Sequence, residues 1–319
     1  MSDMMTCMPF GQLMDWVLQE KKGQDTVFGV HRPYTADPKN DMTIFTRNLE
    51  TPVGPAAGPH TQLAQNIIAS YYAGARFFEL KTVQKMDGAE LSACVNKPCI
   101  LADDEGYNCE WSTELTVPDA MGEYIKAWFI LHVIAKEFGL GAQDGFQFNI
   151  SVGYDLAGIK GEKVNTFIDG MMEAKDSVIF QECRKWLLDN ADKFQNFTRE
   201  DIEAIPSNVC NSATISTLHG CPPQEIESIA NYLLTEKHLN TFVKCNPTLL
   251  GYDFARKTMD EMGYDYMVFG DFHFRDDLQY EDAVPMLTRL MKLSDELGLE
   301  FGVKITNTFP VDVTRNELP

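Results

Sequence analysis

Apolar and polar positions alternate between the spacings typical of strands and of helices from about residue 52 onward. Short runs rich in apolar and β-branched residues predict the strands. Several of these runs lack a period of two, which is typical of strands buried on both faces of a parallel sheet. The predicted strands cover residues 53–58, 76–82, 146–153, 213–218, 240–245, 264–269 and 300–306.

Stretches with apolar residues at helical spacing separate these strands. Alternation of strands and helices over this length predicts βαβ units. Residues 1–50 form a predicted N-terminal extension, with a helix at 10–22 and a short strand at 42–46, and residues 51–319 form the main domain. The helices predicted between the strands cover residues 61–73, 119–138, 164–174 extended by 180–191, 223–236, 252–262 and 280–297.

Two architectures fit this pattern, an open doubly wound sheet and a (β/α)8 barrel. A barrel of this kind needs eight strands, and an eighth is absent before Pro319. A barrel left open at one side would expose an edge strand and part of its core. We therefore expect either an open sheet or a barrel that is incomplete at its C-terminal side because the sequence belongs to a longer chain.

Composition narrows the class of protein. Of the 319 residues, 44% are hydrophobic and 23% are charged, as in ordinary globular proteins. The formal net charge of −20 repels phosphate backbones and anionic lipid, so we expect no nucleic-acid partner. No apolar run approaches the ~20 residues of a membrane-spanning helix, and the N-terminus lacks a basic and apolar leader. We therefore expect a cytoplasmic protein without a membrane span.

The 8 cysteines are predicted to be reduced thiols, since a chain of this size can build its core without disulfides. Cys94, Cys99 and Cys109 do not have the spacing of a zinc or iron–sulfur motif. We interpret them as packing or loop residues, and we expect no metal site.

Residue types that suit ligand binding lie where the predicted strands end, which is where α/β barrels carry their active sites. Ala56, Ala57 and Gly58 lack bulk, so the backbone there could approach a flat ligand or could simply form a tight turn. Lys81 ends an apolar strand and could donate to an electron-rich ring or extend into solvent. Asn149 could hydrogen-bond a heterocycle or be satisfied within the barrel mouth.

Two later strands both end in Val-Lys. Lys244 and Lys304 are therefore competing candidates for one role, because the strand register is open. The last strand continues into Asn307 and Thr308. Lysines, amides and hydroxyls of this kind suit a flavin, whose N1–C2=O region gains negative charge on reduction. They also suit a lyase that forms a Schiff base with a carbonyl substrate.

Cys221 is the candidate catalytic residue. It follows Gly220 and precedes Pro222 and Pro223, which predicts a loop at the N-terminus of a helix. The helix dipole is expected to lower the pKa of the thiol there, which suits a group that exchanges protons. The alternative is a buried cysteine that serves as a small hydrophobic residue.

Six segments together resemble one known family. They are TPVGPAAGPHTQLAQNI, FFELKT, FNISVGY, STLHGCPPQEIE, TFVKCNPTLLGY and FGVKITNT, to which YNCEWSTEL adds. Over essentially its whole length, the sequence resembles the YgfK-type family, whose members carry the name selenate reductase subunit. More distantly, the same strand ends resemble the FMN barrels of dihydroorotate dehydrogenase and dihydropyrimidine dehydrogenase.

This resemblance implies an FMN-type (β/α)8 TIM barrel that is part of a longer oxidoreductase. Family members are much longer, and their remainder implies FAD, NAD(P)H and iron–sulfur clusters held by other redox domains or subunits. Family members are also associated with anaerobic purine breakdown. The implied substrate is therefore a small oxidised molecule, such as a purine- or pyrimidine-like ring.

We predict an incomplete FMN barrel in which Lys81 and Lys244 face the flavin and Asn149 and Asn307 bind the edges of flavin or substrate. Cys221 donates a proton in this reading. Two alternatives stay open. One is a Schiff-base lyase that uses one of the two lysines, and the other is a barrel without flavin that docks partner subunits.

Overall fold

The computed structural model describes residues 6–37, 39, 42–88, 90, 93, 115–216 and 220–312. Within them the chain is an α/β protein with parallel main strands and an N-terminal helix, as the sequence predicts. Its elements in chain order are α1 (Phe10–Gln24), β1 (Met42–Ile44), β2 (Arg47–Leu49), α2 (Ala64–Ala73), β3 (Phe77–Glu79), α3 (Val117–Glu137), β4 (Gln147–Val152), α4 (Leu156–Lys160), α5 (Glu162–Met172), α6 (Val178–Asp189), α7 (Arg199–Ala204), β5 (Cys210–Ile215), α8 (Pro223–Thr235), β6 (Asn240–Cys245), α9 (Tyr252–Glu261), α10 (Phe272–Asp276), α11 (Tyr280–Leu297) and β7 (Phe301–Ile305).

The described residues pack as two compact units. The first contains residues up to 151 together with 160–211, and the second contains residues 152–159 together with those from 212 onward. The division of the chain at residues 50 and 51 stays a prediction.

Helix α3 lies at the centre of the first unit and is apolar on almost every side. Helices α2, α5 and α6 pack against it. Its two buried charges, Glu123 and Lys126, form an ion pair with each other. Glu123 also accepts a hydrogen bond from the Ala64 N–H at 2.7 Å, and Lys126 donates to the Met8 carbonyl at 2.7 Å. These charges are tolerated in the core because each has a partner of opposite polarity.

Strands β3 and β4 pair in parallel in the first unit, with Glu79 opposite Asn149. Successive side chains of a strand point to opposite faces. Phe78 and Phe148 lie on the apolar face, where their ring centroids are 5.5 Å apart. Glu79 and Asn149 lie on the other face and are also buried. This polar face carries Asn149, one of the candidate residues.

Strands β5, β6 and β7 pair in parallel in the second unit, in chain order. Helix α8 packs on β6, and α11 packs on β7 and on α8. A side chain at Gly302 would overlap the ring of its cross-strand neighbour Phe242, so the glycine permits this close packing. Val243 is fully buried, and the next residue, Lys244, points to the opposite face.

The β1–β2 hairpin covers the beginnings of strands β4 and β5. The Gln147 side-chain amide donates to the carbonyls of Ile44 and Arg47 at 2.9 and 3.1 Å. The Asn211 amide donates to the Phe45 carbonyl at 2.8 Å, and the Phe45 ring is buried. Two polar side chains at strand starts therefore hold an element that lies 100 to 166 residues earlier in the sequence.

The prediction of a strand at 53–58 is wrong. The carbonyls of Val53 and Pro55 do accept hydrogen bonds from the N–H groups of Arg76 and Glu79, at 2.8 and 3.2 Å. Pro55 has no N–H to donate, so the segment lies beside β3 without forming a regular ladder. Gly54 is required there, because any side chain would overlap the Phe77 backbone.

The prediction of a strand at 264–269 is also wrong. Phe269 of this segment packs with Tyr252, Phe274 and Phe309 in a separate apolar cluster. The Arg256 guanidinium donates to carbonyls within the segment, including that of Met267 at 2.7 Å. A side chain thus satisfies backbone groups that a neighbouring strand would otherwise bind.

The remaining predicted strands are confirmed within a few residues, and β6 has the predicted bounds. The predicted 164–191 segment forms two helices, because Ser177 caps a new helix by accepting from the Phe180 N–H at 3.3 Å. The pattern missed β2 and the short helices α4, α7 and α10. Of the helices described, none is both long and apolar enough to cross a membrane.

Strand β7 exposes apolar side chains, since Ile305 is 82% exposed and Val303 is 40% exposed. Such an edge is a template for pairing with another chain. We expect residues 1–319, expressed alone, to self-associate, and Ile305→Lys to shift them toward monomer in size-exclusion chromatography with light scattering. Thr288→Lys adds the same charge on exposed α11 and should not have this effect. A monodisperse parent monomer would contradict the prediction.

Candidate functional site

Lys81 and Asn149 both belong to the first unit, Lys81 just after β3 and Asn149 within β4. Lys81 follows β3 and its side chain is buried. The Tyr124 hydroxyl of α3 donates to the Lys81 carbonyl at 3.1 Å, which fixes the backbone where the strand ends. Asn149 is buried in β4. Further along the chain from Lys81 and Asn149, the hydroxyls of Thr82 and Ser151 lie 2.8 Å apart. The roles of Lys81 and Asn149 in cofactor binding stay predictions.

The backbone donors of Ala57 and Gly58 bind other parts of the protein. The Ala57 N–H donates to Oε2 of Glu79 at 2.9 Å, and the Gly58 N–H donates to the Thr61 hydroxyl at 3.2 Å. Gly58 is buried, whereas Ala56 is exposed. The N–H groups of Ala57 and Gly58 are therefore already bonded within the protein. The role of this segment in cofactor binding stays a prediction.

Lys244 and Lys304 are direct neighbours in the sheet. The register of β6 and β7 pairs Lys244 with Lys304 directly, so both side chains leave the same face of the sheet. Lys244 is 8% exposed, and its Nζ donates to the Ser216 hydroxyl at 2.7 Å. Lys304 is half-buried. Two cations therefore lie side by side at the carboxyl ends of these strands.

Two amides lie next to these lysines along the chain. The Asn307 side-chain N–H donates to Oδ1 of Asn246 at 3.0 Å, which connects the loops that follow β6 and β7. The Thr308 N–H donates to Oδ1 of Asn307 at 2.9 Å, and the Thr308 side chain is exposed. The Thr306 hydroxyl donates to the Cys245 carbonyl at 3.0 Å. The Asn307 amide is thus oriented by the protein itself.

Cys221 lies in the predicted loop, just before α8, and is half-buried. The predicted lowering of its pKa is wrong. Burial raises the pKa of the thiol to about 11, and the carboxylates of Glu225 and Asp277 add to this effect. Burial is the largest of these causes. The thiol stays protonated near neutral pH, so it can donate a proton but is a poor nucleophile.

Sequence reasoning missed three residues that shape this region: Ser216, Thr248 and Asp277. Ser216 follows β5 directly, and its place in the strand-end pattern could have identified it. Thr248 and Asp277 are buried and hydrogen-bonded to each other at 2.6 Å, but they are 29 residues apart. No local pattern indicates a contact of that kind.

Cysteines 7, 183, 210, 221 and 245 are free thiols. The predictions for Cys94, Cys99 and Cys109 lie outside the described residues. Within the part of the chain that the structure describes, no group of 3 or more His, Cys, Asp or Glu side chains could hold a metal ion.

The sequence matches a known family over residues 28–319, described as the oxidoreductase YgfK, N-terminal TIM-barrel domain. Two curated relatives named "Putative oxidoreductase YgfK" come from Escherichia coli strain K12 and Escherichia coli O157:H7. Each is 45% identical over 333 aligned residues, which cover 100% of this chain and 32% of the relative. The chain therefore spans about a third of the length of these relatives.

Two solved structures of DHODH from Eimeria tenella are also similar. The ligand-free form has a TM-score of 0.39 and 12% identity, and covers 93% of this chain and 83% of its own. The complex with ferulenol has a TM-score of 0.37 and 11% identity, and covers 92% of this chain and 79% of its own. Similarity at this level carries no information about a ligand of the present chain.

Proposed function

The chain belongs to the family of the N-terminal TIM-barrel domain of the oxidoreductase YgfK, and on that basis we propose that it is a flavin-binding barrel that serves a redox enzyme. The observation that supports a flavin best is the pair of adjacent lysines at the ends of β6 and β7. Lys244 donates to the Ser216 hydroxyl, and two adjacent cations at strand ends suit an electron-rich ligand.

The donors of the second unit fit a flavin. Bound FMN supplies hydride transfer, and its N1–C2=O region becomes negatively charged on reduction. We assign Lys244 to that region, with Lys304 beside it. Asn307 suits the hydrogen-bonding edges of the ring or of the substrate. Cys221, protonated near neutral pH, suits a proton donor to the substrate.

Lys81, Asn149 and the Ala56–Gly58 segment remain proposed flavin contacts of the first unit. The buried, polar environment of Lys81 and Asn149 supports that assignment. The sequence resemblance of the strand ends to the FMN barrels of dihydroorotate dehydrogenase and dihydropyrimidine dehydrogenase supports FMN as the flavin of this barrel.

The remaining length of the relatives supports a larger redox protein. Since the chain spans 32% of those relatives, we propose that other domains or subunits hold FAD, NAD(P)H and iron–sulfur clusters and pass electrons to the barrel. A purine- or pyrimidine-like ring is the proposed substrate. The family's selenate reductase name is the other candidate, and the residues described here offer no specific support for it.

Lys244→Met tests the flavin assignment in the native full-length protein. Removing one charged hydrogen bond of about 1.5–3 kcal/mol should weaken FMN binding roughly ten- to hundredfold. FMN should be released, separated from FAD by chromatography and counted per chain, and its affinity should be titrated with the deflavinated protein. Lys304→Met should have a smaller effect in the same direction, because Lys304 is less buried.

Lys292→Met is the matched control, since Lys292 lies on the exposed side of α11 and pairs only loosely with Glu296, at 3.8 Å. It should leave FMN content unchanged. If Lys244→Met and Lys304→Met both keep the parental FMN content and affinity, the assignment is wrong. Borohydride trapping of pyruvate on Lys244 would then support the Schiff-base lyase.

A further inference from the structure

Asp277 lies in the short turn between α10 and α11 and is 4% exposed. The turn is fixed by Gln279, whose side-chain amide donates to the carbonyls of Phe274 and Asp277 at 2.6 and 2.7 Å. The neighbouring Leu278 is also buried. The backbone that carries the Asp277 carboxylate is therefore rigidly placed.

The two oxygens of this carboxylate bind two different loops. Oδ1 accepts a hydrogen bond from the Gly220 N–H at 2.5 Å, in the loop that carries Cys221. Oδ2 accepts from the Thr248 hydroxyl at 2.6 Å, in the loop that follows β6. Gly220 has a φ of +82°, which residues with a side chain rarely adopt. A charged acceptor thus holds the loop in a conformation that depends on glycine.

We propose that Asp277 is the positioning residue of the Cys221 loop, and that it fixes this loop against the loop that follows β6. One of these loops carries the candidate proton donor, and the other begins directly after Lys244. Asp277 thereby sets the position of the sulfur relative to the end of β6. The effect of this positioning on catalysis rests on the proposed function, whereas the positioning itself does not.

The charges that face the sulfur agree with this geometry. They come from Glu225 on α8 and from Asp277 in the turn between α10 and α11. Glu225 also accepts a hydrogen bond from the Leu156 N–H at 2.6 Å but is not bonded to Gly220 or Thr248. The effects of the two carboxylates can therefore be separated experimentally. Both raise the pKa of the thiol as nearby charges, but only Asp277 also holds the loop.

The test uses the full-length protein and two readouts that need no flavin. Hydrogen exchange, measured by mass spectrometry on a peptide that contains Gly220, reports on the loop. The pH dependence of Cys221 alkylation by iodoacetamide, followed on its peptide, reports on the thiol. Asp277→Ala removes both acceptors, so exchange at Gly220 should be roughly ten- to hundredfold faster. The alkylation midpoint should also fall.

Two variants separate charge from positioning. Asp277→Asn keeps an oxygen and a donor of similar shape, so the alkylation midpoint should fall while exchange at Gly220 stays near the parental rate. Glu225→Gln should likewise lower the midpoint and leave exchange at Gly220 unchanged. If Asp277→Ala changes the midpoint of Cys221 alkylation but leaves exchange at Gly220 at the parental rate, Asp277 is only a nearby charge and the proposal is overturned.

Thr248→Val gives an independent test if Asp277→Ala does not fold. It removes one of the two hydrogen bonds at a buried site and keeps the charge. Exchange in the loop after β6 should then be faster, with the Cys221 midpoint unchanged. Parental exchange in that loop would overturn the proposal. Because none of these readouts involves FMN, failure of the flavin assignment and failure of the positioning role can be told apart.

Discussion

Arg76→Met is expected to lower the free energy of unfolding by about 3–5 kcal/mol, because it leaves a buried carboxylate without its ion-pair partner. Arg76 is fully buried, and its Nε lies 2.6 Å from Oε2 of Glu50. Its other nitrogens donate to the carbonyls of Tyr71, Ala75 and Leu140. Glu50 in turn accepts from the Ala142 N–H at 2.5 Å. Methionine can fill part of the space but can make none of these hydrogen bonds.

The loss can be measured by urea unfolding followed by tryptophan fluorescence, since Trp16, Trp128 and Trp186 all belong to the first unit. Arg289→Met is the control. Its pair with Glu227, at 2.7 Å, is exposed on the arginine side, so that substitution should leave the free energy of unfolding close to the parental value. A similarly small change for Arg76→Met would show that the buried pair contributes little to stability.

Cys221→Ser is expected to slow the transfer of hydride to substrate by ~10²–10⁴-fold, because serine is a much weaker acid than the thiol that it replaces. The expectation rests on the proposed role of Cys221 as proton donor. The pKa of about 11 means that the thiol of the parent protein holds its proton throughout the neutral range. The parental rate should therefore fall with pH only as pH approaches about 11.

Stopped-flow measurements on the full-length protein separate the two half-reactions. Reduction of the protein by NADPH should keep its parental rate in Cys221→Ser, since that step needs no proton from this loop. Reoxidation by a probe ring, uracil or xanthine, should be slow. Cys7→Ser, the same exchange at another half-buried thiol, should match the parent in both steps. Parental reoxidation in Cys221→Ser would show that Cys221 is only a packing residue.

The sequence predicted those parts of the fold that depend on local pattern. Strand β6 has the predicted bounds, and α11 does as well, because runs of apolar residues at strand or helix spacing define both. The strand at 264–269 was predicted on the same grounds but does not exist. Its apolar residues instead pack with Tyr252 and Phe309, which lie outside the segment, and periodicity cannot show this.

The candidate site was predictable only residue by residue. Strand-end position identified Lys244 and Lys304, but their adjacency depends on a register that hydrogen bonding between two strands determines. The pKa of Cys221 was predicted in the wrong direction, because a helix N-terminus can be recognised in the sequence, whereas the burial of the thiol, which is the largest cause of the raised pKa, cannot. Asp277, a smaller contributor, is 56 residues from Cys221 in the chain and reads locally as part of an acidic surface turn.

The β1–β2 hairpin determines how this domain could be transplanted. Gln147 and Asn211 direct their amide donors at hairpin carbonyls, so a graft that begins at residue 51 would leave both amides without these acceptors. It would also uncover the site that the Phe45 ring fills. Residues 42–49 are therefore part of the smallest portable module. A chimera with a foreign barrel should keep this hairpin together with β4 and β5 from the same parent.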